Sequence, residues 1–214
     1  MRGRSACDGC GRRLSAAELV PVLSWLRLRG RCAACGGRIA LVHPLCEVAG
    51  LAIGITAPLV APGLEGIAGA VFGWLLLALA AVDARAMWLP DRLTGTLALL
   101  GLATGLTGMV PPPLAARVIG GVAGYLSLEA IRRGYRLWRR REGLGGGDPK
   151  MFGAIGLWVG WETLPLVMVV ACALGLGFAL GWRMTGRAVR ADTRLPLGTL
   201  LAAGAYAVWL LSIR

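Results

Sequence analysis

The stretch Gly145-Gly146-Gly147-Asp148-Pro149-Lys150 lies where an arginine-rich segment gives way to an apolar one. Asp148 is therefore predicted to be a carboxylate at the mouth of a membrane helix. The three glycines before it would let another chain approach the backbone closely. A second carboxylate, Asp83, ends an earlier apolar run that starts at Phe72. Two acids at the edges of membrane segments, one of them on a glycine loop, form the pattern around which the chain is organised.

Composition places the chain among helical membrane proteins. Of its 214 residues, 57% are hydrophobic, and they come in blocks of about 17–21, the length at which a helix crosses a bilayer. We expect an all-α polytopic membrane protein of about seven transmembrane helices. The predicted spans cover residues 41–60, 64–82, 93–110, 114–131, 149–161, 163–182 and 196–212. The fifth is short, so we expect it to start within the membrane or beside an aqueous cavity.

The basic residues show which ends of these helices face the cytoplasm. The net charge is +12, and it is concentrated in residues 1–40, 83–92, 132–150 and 183–194. The connections between these clusters, at residues 61–63, 111–113 and 161–165, carry no basic residue. This alternation is the positive-inside pattern, which predicts a cytoplasmic amino terminus and cytoplasmic basic loops. Charge spread over short loops on one side also argues against a nucleic-acid partner.

Residues 1–40 differ in kind from the rest of the chain. The pair Cys7 and Cys10 is followed after 21 residues by the pair Cys32 and Cys35. Two CxxC pairs at this separation supply four thiolates for one tetrahedral zinc ion, which would be structural because no position is left for substrate. Disulfides and a redox CxxC are the alternatives, and the reducing cytoplasm disfavours disulfides. We therefore predict a small cytoplasmic zinc-binding domain with four cysteine ligands over residues 1–40 and a helical transmembrane domain over residues 41–214.

The two acids fit the chemistry of an aspartic hydrolase. Asp148 followed by Pro149 is also a good helix start. Asp83 has no such explanation, because the helix dipole opposes an anion at a helix C-terminus and a carboxylate at membrane depth is a functional candidate. When two carboxylates share a site, one keeps a proton while the other acts as a base on water. The sequence therefore predicts a dyad of Asp83 and Asp148.

The remaining polar residues allow fewer conclusions. Glu129 is expected to pair with Arg132 and Arg133, whereas Glu47, inside the first span, fits function or packing equally well. His43 is the only histidine, which argues against Ser-His or His-metal catalysis. A polytopic transporter with a cytoplasmic zinc module is the alternative reading of the whole chain. The lack of a repeat between the halves and of acids at mid-membrane counts against it.

Several motifs together resemble a known family, the bacterial prepilin peptidases, or type IV leader peptidases, which are intramembrane aspartic proteases with a GxGD motif. Gly145 to Lys150 is similar to the family's GxGDxK segment, and Asp83 with Leu89-Pro90-Asp91 resembles its first aspartate and the turn that follows. The segment from Pro21 to Cys32, Pro44-Leu45-Cys46-Glu47, and Leu195-Pro196-Leu197-Gly198 resemble three further family motifs in the right order. The resemblance covers nearly the whole chain.

The resemblance implies an activity and a set of site residues. Family members cleave the leaders of type IV prepilins or type II secretion pseudopilins after a glycine on the cytoplasmic side, and then N-methylate the new amino terminus with S-adenosylmethionine. It implies Asp83 and Asp148 as catalytic residues, and a structural zinc ion on the four cysteines. It also implies an active-site loop made of Gly145, Gly146, Gly147 and Lys150. Gly30 falls in the segment associated with methylation.

The resemblance also implies a location in the bacterial cytoplasmic (inner) membrane, as a multi-pass protein embedded in the lipid bilayer. In one respect the sequence departs from the family. Family members usually begin with a further membrane helix before the first CxxC pair, whereas this chain reaches Cys7 after six residues. We expect peptidase activity to survive this difference and methylation to depend on it more strongly.

Overall fold

A computed structural model describes residues 5–186 and 195–213, and seven α-helices lie within these ranges. Residues 187–194 of the fourth basic cluster fall outside them. The helices are α1 Leu23–Arg27, α2 Val42–Val60, α3 Leu64–Ala86, α4 Asp91–Leu106, α5 Leu114–Arg139, α6 Gly147–Met184 and α7 Leu197–Ser212. The chain divides into two compact units, Met1–Ala52 and Ile53–Arg214.

The first unit is built on two matching turns that carry the cysteine pairs. In the first turn, the N–H of Gly11 donates to the carbonyl of Cys7 at 2.8 Å, and in the second, Gly36 donates to Cys32 at 2.9 Å. Both glycines have a φ of 68°, in the left-handed region that glycine adopts at little cost. The turns are closed by the bridges Ala6 to Arg13 and Arg31 to Arg38. The repeat explains why the sequence places a glycine directly after each CxxC pair.

Glu47, whose role the sequence left open, has a structural contact in the first unit. Its Oε2 accepts a hydrogen bond of 2.7 Å from the backbone N–H of Val22. Val22 is the N-cap residue of α1 and has a φ of 61° with no side-chain cap. Glu47 therefore satisfies one of the backbone donors left unpaired around the start of α1.

The all-α polytopic fold predicted from the sequence is confirmed. In the described ranges, α2, α3, α5 and α6 are long and apolar enough to cross a membrane, and α7 is apolar but shorter. At 16 residues each, α4 and α7 fall below the ~20 residues typical of a spanning helix. The helix that contains the predicted span at 114–131 is longer than that span, because α5 continues to Arg139. Its added turns are rich in arginine and extend past the apolar stretch.

The predicted connection at residues 161–165 is wrong, because those residues are helical. Only Gly160 departs from helical geometry within α6, with φ 78° and ψ 174°. A β-carbon on Gly124 would lie 3.0 Å from the Phe152 carbonyl oxygen and 2.9 Å from Leu164 Cδ2. In a straight helix those two residues would be ~18 Å apart. The chain therefore turns back at Gly160, and α6 contains both of the spans predicted at 149–161 and 163–182.

Glycines allow α5 and the first half of α6 to pack backbone against backbone. A β-carbon on Gly156 would lie 2.3 Å from the Gly120 carbonyl oxygen, and one on Gly153 would lie 2.9 Å from that of Gly121. No side chain fits between backbones at this separation. Such close approach through small residues is a common way for membrane helices to associate. It fixes the direction of α6 and hence the position of its first residues, which include Asp148.

A fully buried arginine ties the ends of three helices together at the turn of α6. The side chain of Arg117 has no solvent exposure and donates at 2.8–3.1 Å to six acceptors. These are the carbonyl oxygens of Gly101, Val110, Pro111, Pro112 and Leu157 and the hydroxyl of Thr104. Three of these carbonyls lie in the connection between α4 and α5, and a guanidinium with five N–H donors can satisfy several such groups at once.

Candidate active site

Asp83 lies buried in the last turn of α3, with 5% of its surface exposed. The helix ends at Ala86. The next residue, Met87, caps it in the left-handed conformation, and its backbone N–H donates to the Asp83 carbonyl. The Asp83 carboxylate faces the start of α7, where its Oδ2 accepts hydrogen bonds from the Thr199 N–H at 2.8 Å and the Thr199 hydroxyl at 3.2 Å. The acid at the C-terminus of one helix is thus held by the N-terminus of another.

Asp148 is the second residue of α6 and is 8% exposed. Its Oδ2 accepts a hydrogen bond of 3.1 Å from the backbone N–H of Gly145. This bond folds the glycine loop back over the first turn of the helix. A β-carbon on Gly145 would lie 3.0 Å from the same Oδ2, so a side chain at this position would crowd the carboxylate.

Leu89 packs against glycines that adjoin both acids. It is 5% exposed, and β-carbons on Gly147 and on Gly198 would lie 2.8 Å and 3.0 Å from its side chain. A β-carbon on Gly198 would also lie 3.0 Å from Asp83 Oδ2. Asp83 and Asp148 are close enough for their charges to interact. The structure therefore brings together the two carboxylates that the sequence separates by 64 residues.

Charged side chains border this pair. Lys150 Nζ forms an ion pair of 2.7 Å with Asp91 Oδ1, which joins the first turns of α4 and α6. Glu129 accepts bonds from Arg132 at 2.9 Å and Arg133 at 2.6 Å, as the sequence predicts. Arg132 Nη1 approaches the glycine loop, at 3.5 Å from where a β-carbon on Gly146 would be. The loop is therefore flanked by cations, and Asp91 is engaged in a pair rather than capping α4.

The four cysteines form a separate cluster in the first unit. The Sγ atoms of Cys7, Cys10, Cys32 and Cys35 all lie within 4.8 Å of one another, and those of Cys7 and Cys35 are 3.9 Å apart. Zn–S bonds of ~2.3 Å in a tetrahedron place sulfur atoms ~3.8 Å apart. Backbone N–H groups of Cys35 and Ala34 lower the pKa of the Cys32 thiol, whereas the neighbouring cysteines raise the pKa of Cys35; a metal binds the thiolate form. The cluster can hold a metal ion.

Gly30 lies against Trp25 in the first unit. It has a φ of 69°, and its β-carbon would lie 2.9 Å from Trp25 Cζ2, so no other residue fits there without displacing the indole. Among the described residues, the buried Trp25 Nε1–H has no hydrogen-bond partner. The structure thus gives Gly30 a steric role and places it beside an unused donor.

Sequence reasoning missed Thr199. The motif that resembles the family ends at Gly198, and a threonine in an apolar segment gives no sign of its partner. The sequence indicated only that Thr199 lies in the first turn of a helix that follows a proline. Backbone N–H groups at such positions need acceptors outside the helix. The partner could be identified only from the packing of α7 on α3.

Two models of known protein families match the chain. The model of the type IV leader peptidase family matches residues 70–180, and that of the bacterial peptidase A24 N-terminal domain matches residues 1–60. No solved structure matches the chain.

Several curated relatives carry the name prepilin leader peptidase/N-methyltransferase. One from Burkholderia pseudomallei (strain 1026b) is 45% identical over 208 residues, which are 95% of this chain and 66% of the relative. One from Dickeya chrysanthemi is 40% identical and covers 86% of this chain and 65% of its own length. One from Dichelobacter nodosus is 36% identical, with 96% and 70% covered. The chain spans about two thirds of the length of these relatives, and it belongs to the type IV leader peptidase family.

Proposed function

We propose that this protein is an aspartic endopeptidase that removes the leader from type IV prepilins or type II secretion pseudopilins. The observation that carries the proposal is the pairing of two buried carboxylates, Asp83 and Asp148, beside a loop of three glycines. Acidic side chains inside a membrane are energetically costly, so those that are present usually belong to a functional site. Membership of the family and the name of the relatives support the same activity, and no contact in the described parts of the chain favours transport.

In the proposed reaction, one carboxylate takes a proton from a water molecule as the water oxygen bonds to the scissile carbonyl carbon. The other, protonated, carboxyl donates a hydrogen bond to the carbonyl oxygen, which gains charge in the transition state. Collapse of the tetrahedral intermediate breaks the C–N bond, and the leaving amine takes a proton from the dyad. The products are a leader carboxylate and a free amino terminus.

The glycine loop supplies access for the substrate. Gly145, Gly146 and Gly147 expose backbone on which an extended peptide can lie, and Lys150 with Asp91 forms its outer edge. Prepilin leaders are basic, and the loop is flanked by Arg132 and Lys150, so attraction between charges would not select the substrate. Recognition would instead come from the glycine at the cleavage site and the apolar segment after it. The protein would act at the inner membrane, on the cytoplasmic side.

The four cysteines would hold a structural zinc ion. Their sulfur atoms lie within 4.8 Å of one another, close enough to share one metal ion, and four thiolates leave no position open for substrate. The ion would order a segment with little apolar core. If methylation is retained, S-adenosylmethionine would supply the methyl group, and Gly30 lies in the segment that the family resemblance associates with this activity.

Cleavage of a purified prepilin in detergent tests this function. We expect the enzyme to release a product whose new amino terminus follows the leader glycine, as identified by mass spectrometry. The matched control is the same prepilin with that glycine replaced by a bulky residue, which should remain uncut. A methyl group on the product would show the second activity. An enzyme that is folded and metal-loaded but leaves the prepilin intact would refute the proposal.

A further inference from the structure

The start of α7 offers Asp83 two hydrogen-bond donors from one residue. Pro196 is the N-cap, and the helical hydrogen bonds begin with the Leu200 N–H donating to the Pro196 carbonyl. The Thr199 N–H therefore has no partner within its own helix, and it donates to Asp83 Oδ2 at 2.8 Å. The Thr199 hydroxyl is shared between Asp83 Oδ2 at 3.2 Å and the Ala80 carbonyl at 3.1 Å.

Both hydrogen bonds from Thr199 to Asp83 end on the same one of its two carboxylate oxygens. Oδ2 is occupied by Thr199 and lies against Gly198, whereas no residue in the described parts of the chain donates to Oδ1. Asp148 shows the same division, because Gly145 occupies its Oδ2 and none of the described residues donates to its Oδ1. Each acid thus has one oxygen fixed by the protein and one left for water or substrate.

We propose that Thr199 is a positioning residue for Asp83: by fixing Oδ2, it presents Oδ1 to the water that attacks the peptide bond. This proposal rests on the proposed peptidase function. A carboxylate held by one bond alone could rotate about its terminal torsion, which has a broad energy profile. The N–H and the hydroxyl approach Oδ2 from a single residue on a rigid helix, so rotation would break both contacts.

Packing around Thr199 fixes the geometry further. The hydroxyl's second partner, Ala80, lies one turn before Asp83 on α3, so the bond joins α7 to α3 independently of the carboxylate. Gly198 lets the two helices approach until a β-carbon would be 3.0 Å from Asp83 Oδ2. Two adjacent residues of α7 therefore define the position of the carboxylate: Thr199 supplies the hydrogen-bond donors, and Gly198 leaves the space.

Kinetics of prepilin cleavage by Thr199→Val, Thr199→Ser and Thr163→Val test this role. Valine keeps the shape and the backbone N–H but removes the hydroxyl. We expect kcat to fall about tenfold or more, as misplaced catalytic groups typically cause, with KM unchanged because Thr199 does not contact substrate. Serine keeps the hydroxyl and should restore kcat to within about threefold of wild type. The Thr163 hydroxyl bonds to a backbone carbonyl, that of Val159, and not to a carboxylate, so its valine variant controls for the loss of a hydroxyl–carbonyl bond.

The outcomes separate this proposal from the one on which it rests. If wild type fails to cut prepilin, the peptidase function itself is refuted. If wild type cuts and Thr199→Val has the kcat of Thr163→Val, the positioning role is wrong and the peptidase function stands. A fall in melting temperature with unchanged kcat would likewise make Thr199 purely structural. Should the valine variant not fold, Thr199→Ala, which adds no bulk, takes its place with the same criteria.

Discussion

At the scale of single residues, the structure resolves an apparent conflict at Asp83. The C-terminus of α3 carries partial negative charge that opposes a carboxylate, which made Asp83 stand out in the sequence. The N-terminus of α7 supplies the compensation through Thr199. Glu47 and Glu129 are similar cases, because each has a structural partner that accounts for it without catalysis: the Val22 N–H for Glu47, and Arg132 with Arg133 for Glu129. Position in the sequence identifies an unusual acid, but only packing shows what stabilises it.

Replacing Gly198 with alanine should disturb Asp83 directly. The new β-carbon would lie 3.0 Å from Asp83 Oδ2 and 3.0 Å from Leu89 Cδ2, closer than carbon and oxygen atoms normally pack. We expect the carboxylate to shift by a few tenths of an ångström and prepilin cleavage to fall about tenfold or more. Gly181→Ala is the control, because nothing lies within 4 Å of its β-carbon. Full activity of Gly198→Ala would mean that the contact with Asp83 is not needed.

At the scale of secondary structure elements, α6 is the helix against which both α5 and α7 pack. Its first half packs against α5 through glycines and brings Asp148 to the site, and its second half packs against α7 with Gly204 near Val167 and Ala171. The turn between the halves lies at Gly160, the one residue of α6 with non-helical backbone angles, and Pro165 lies inside the second half. The sequence suggested two spans and a loop, since Pro165 and the polar residues near it look like a connection.

Gly160→Ala should destabilise the protein. The backbone at Gly160, with φ 78° and ψ 174°, lies in a region that only glycine adopts readily, and a non-glycine residue there costs about 1–3 kcal/mol. Its β-carbon would also lie 3.0 Å from Pro112 Cγ. We expect a lower melting temperature in detergent. Gly177→Ala, in helical backbone with nothing within 4 Å, should melt like wild type or slightly higher. Equal melting of the two variants would contradict the assigned turn.

At the scale of the whole molecule, the sequence predicted the helices and the composition of the site well, and their contacts poorly. Blocks of apolar residues located α2 to α7, because length and hydropathy alone determine which segments enter a bilayer. The CxxC pairs predicted their own cluster, because their spacing carries the geometry. Leu89 beside the glycines that adjoin both acids, Arg117 at the turn of α6 and Thr199 at Asp83 were not predicted. Each depends on how one helix packs against another, and no local pattern encodes that.

Metal analysis tests the predicted zinc site in the first unit. We expect one zinc ion per chain in wild type and its loss in Cys10→Ser, because three thiolates bind zinc far more weakly than four. Cys46→Ser and Cys172→Ser are matched controls, since both cysteines lie outside the cluster, and each should keep its zinc. Equal metal content in all the variants would show that the four thiols do not form the site.

The central claim is that Asp83 and Asp148 act as one catalytic pair, and the most direct measurement is cleavage of prepilin by Asp83→Asn and Asp148→Asn. Asparagine keeps the shape of each side chain but cannot exchange a proton. Glu162→Gln is the control, because Glu162 is an exposed acid just after the turn at Gly160, away from the glycine loop. We predict that either dyad variant loses cleavage below detection while keeping its zinc and its melting behaviour, and that Glu162→Gln still cuts. Measurable cleavage by either dyad variant would contradict the account.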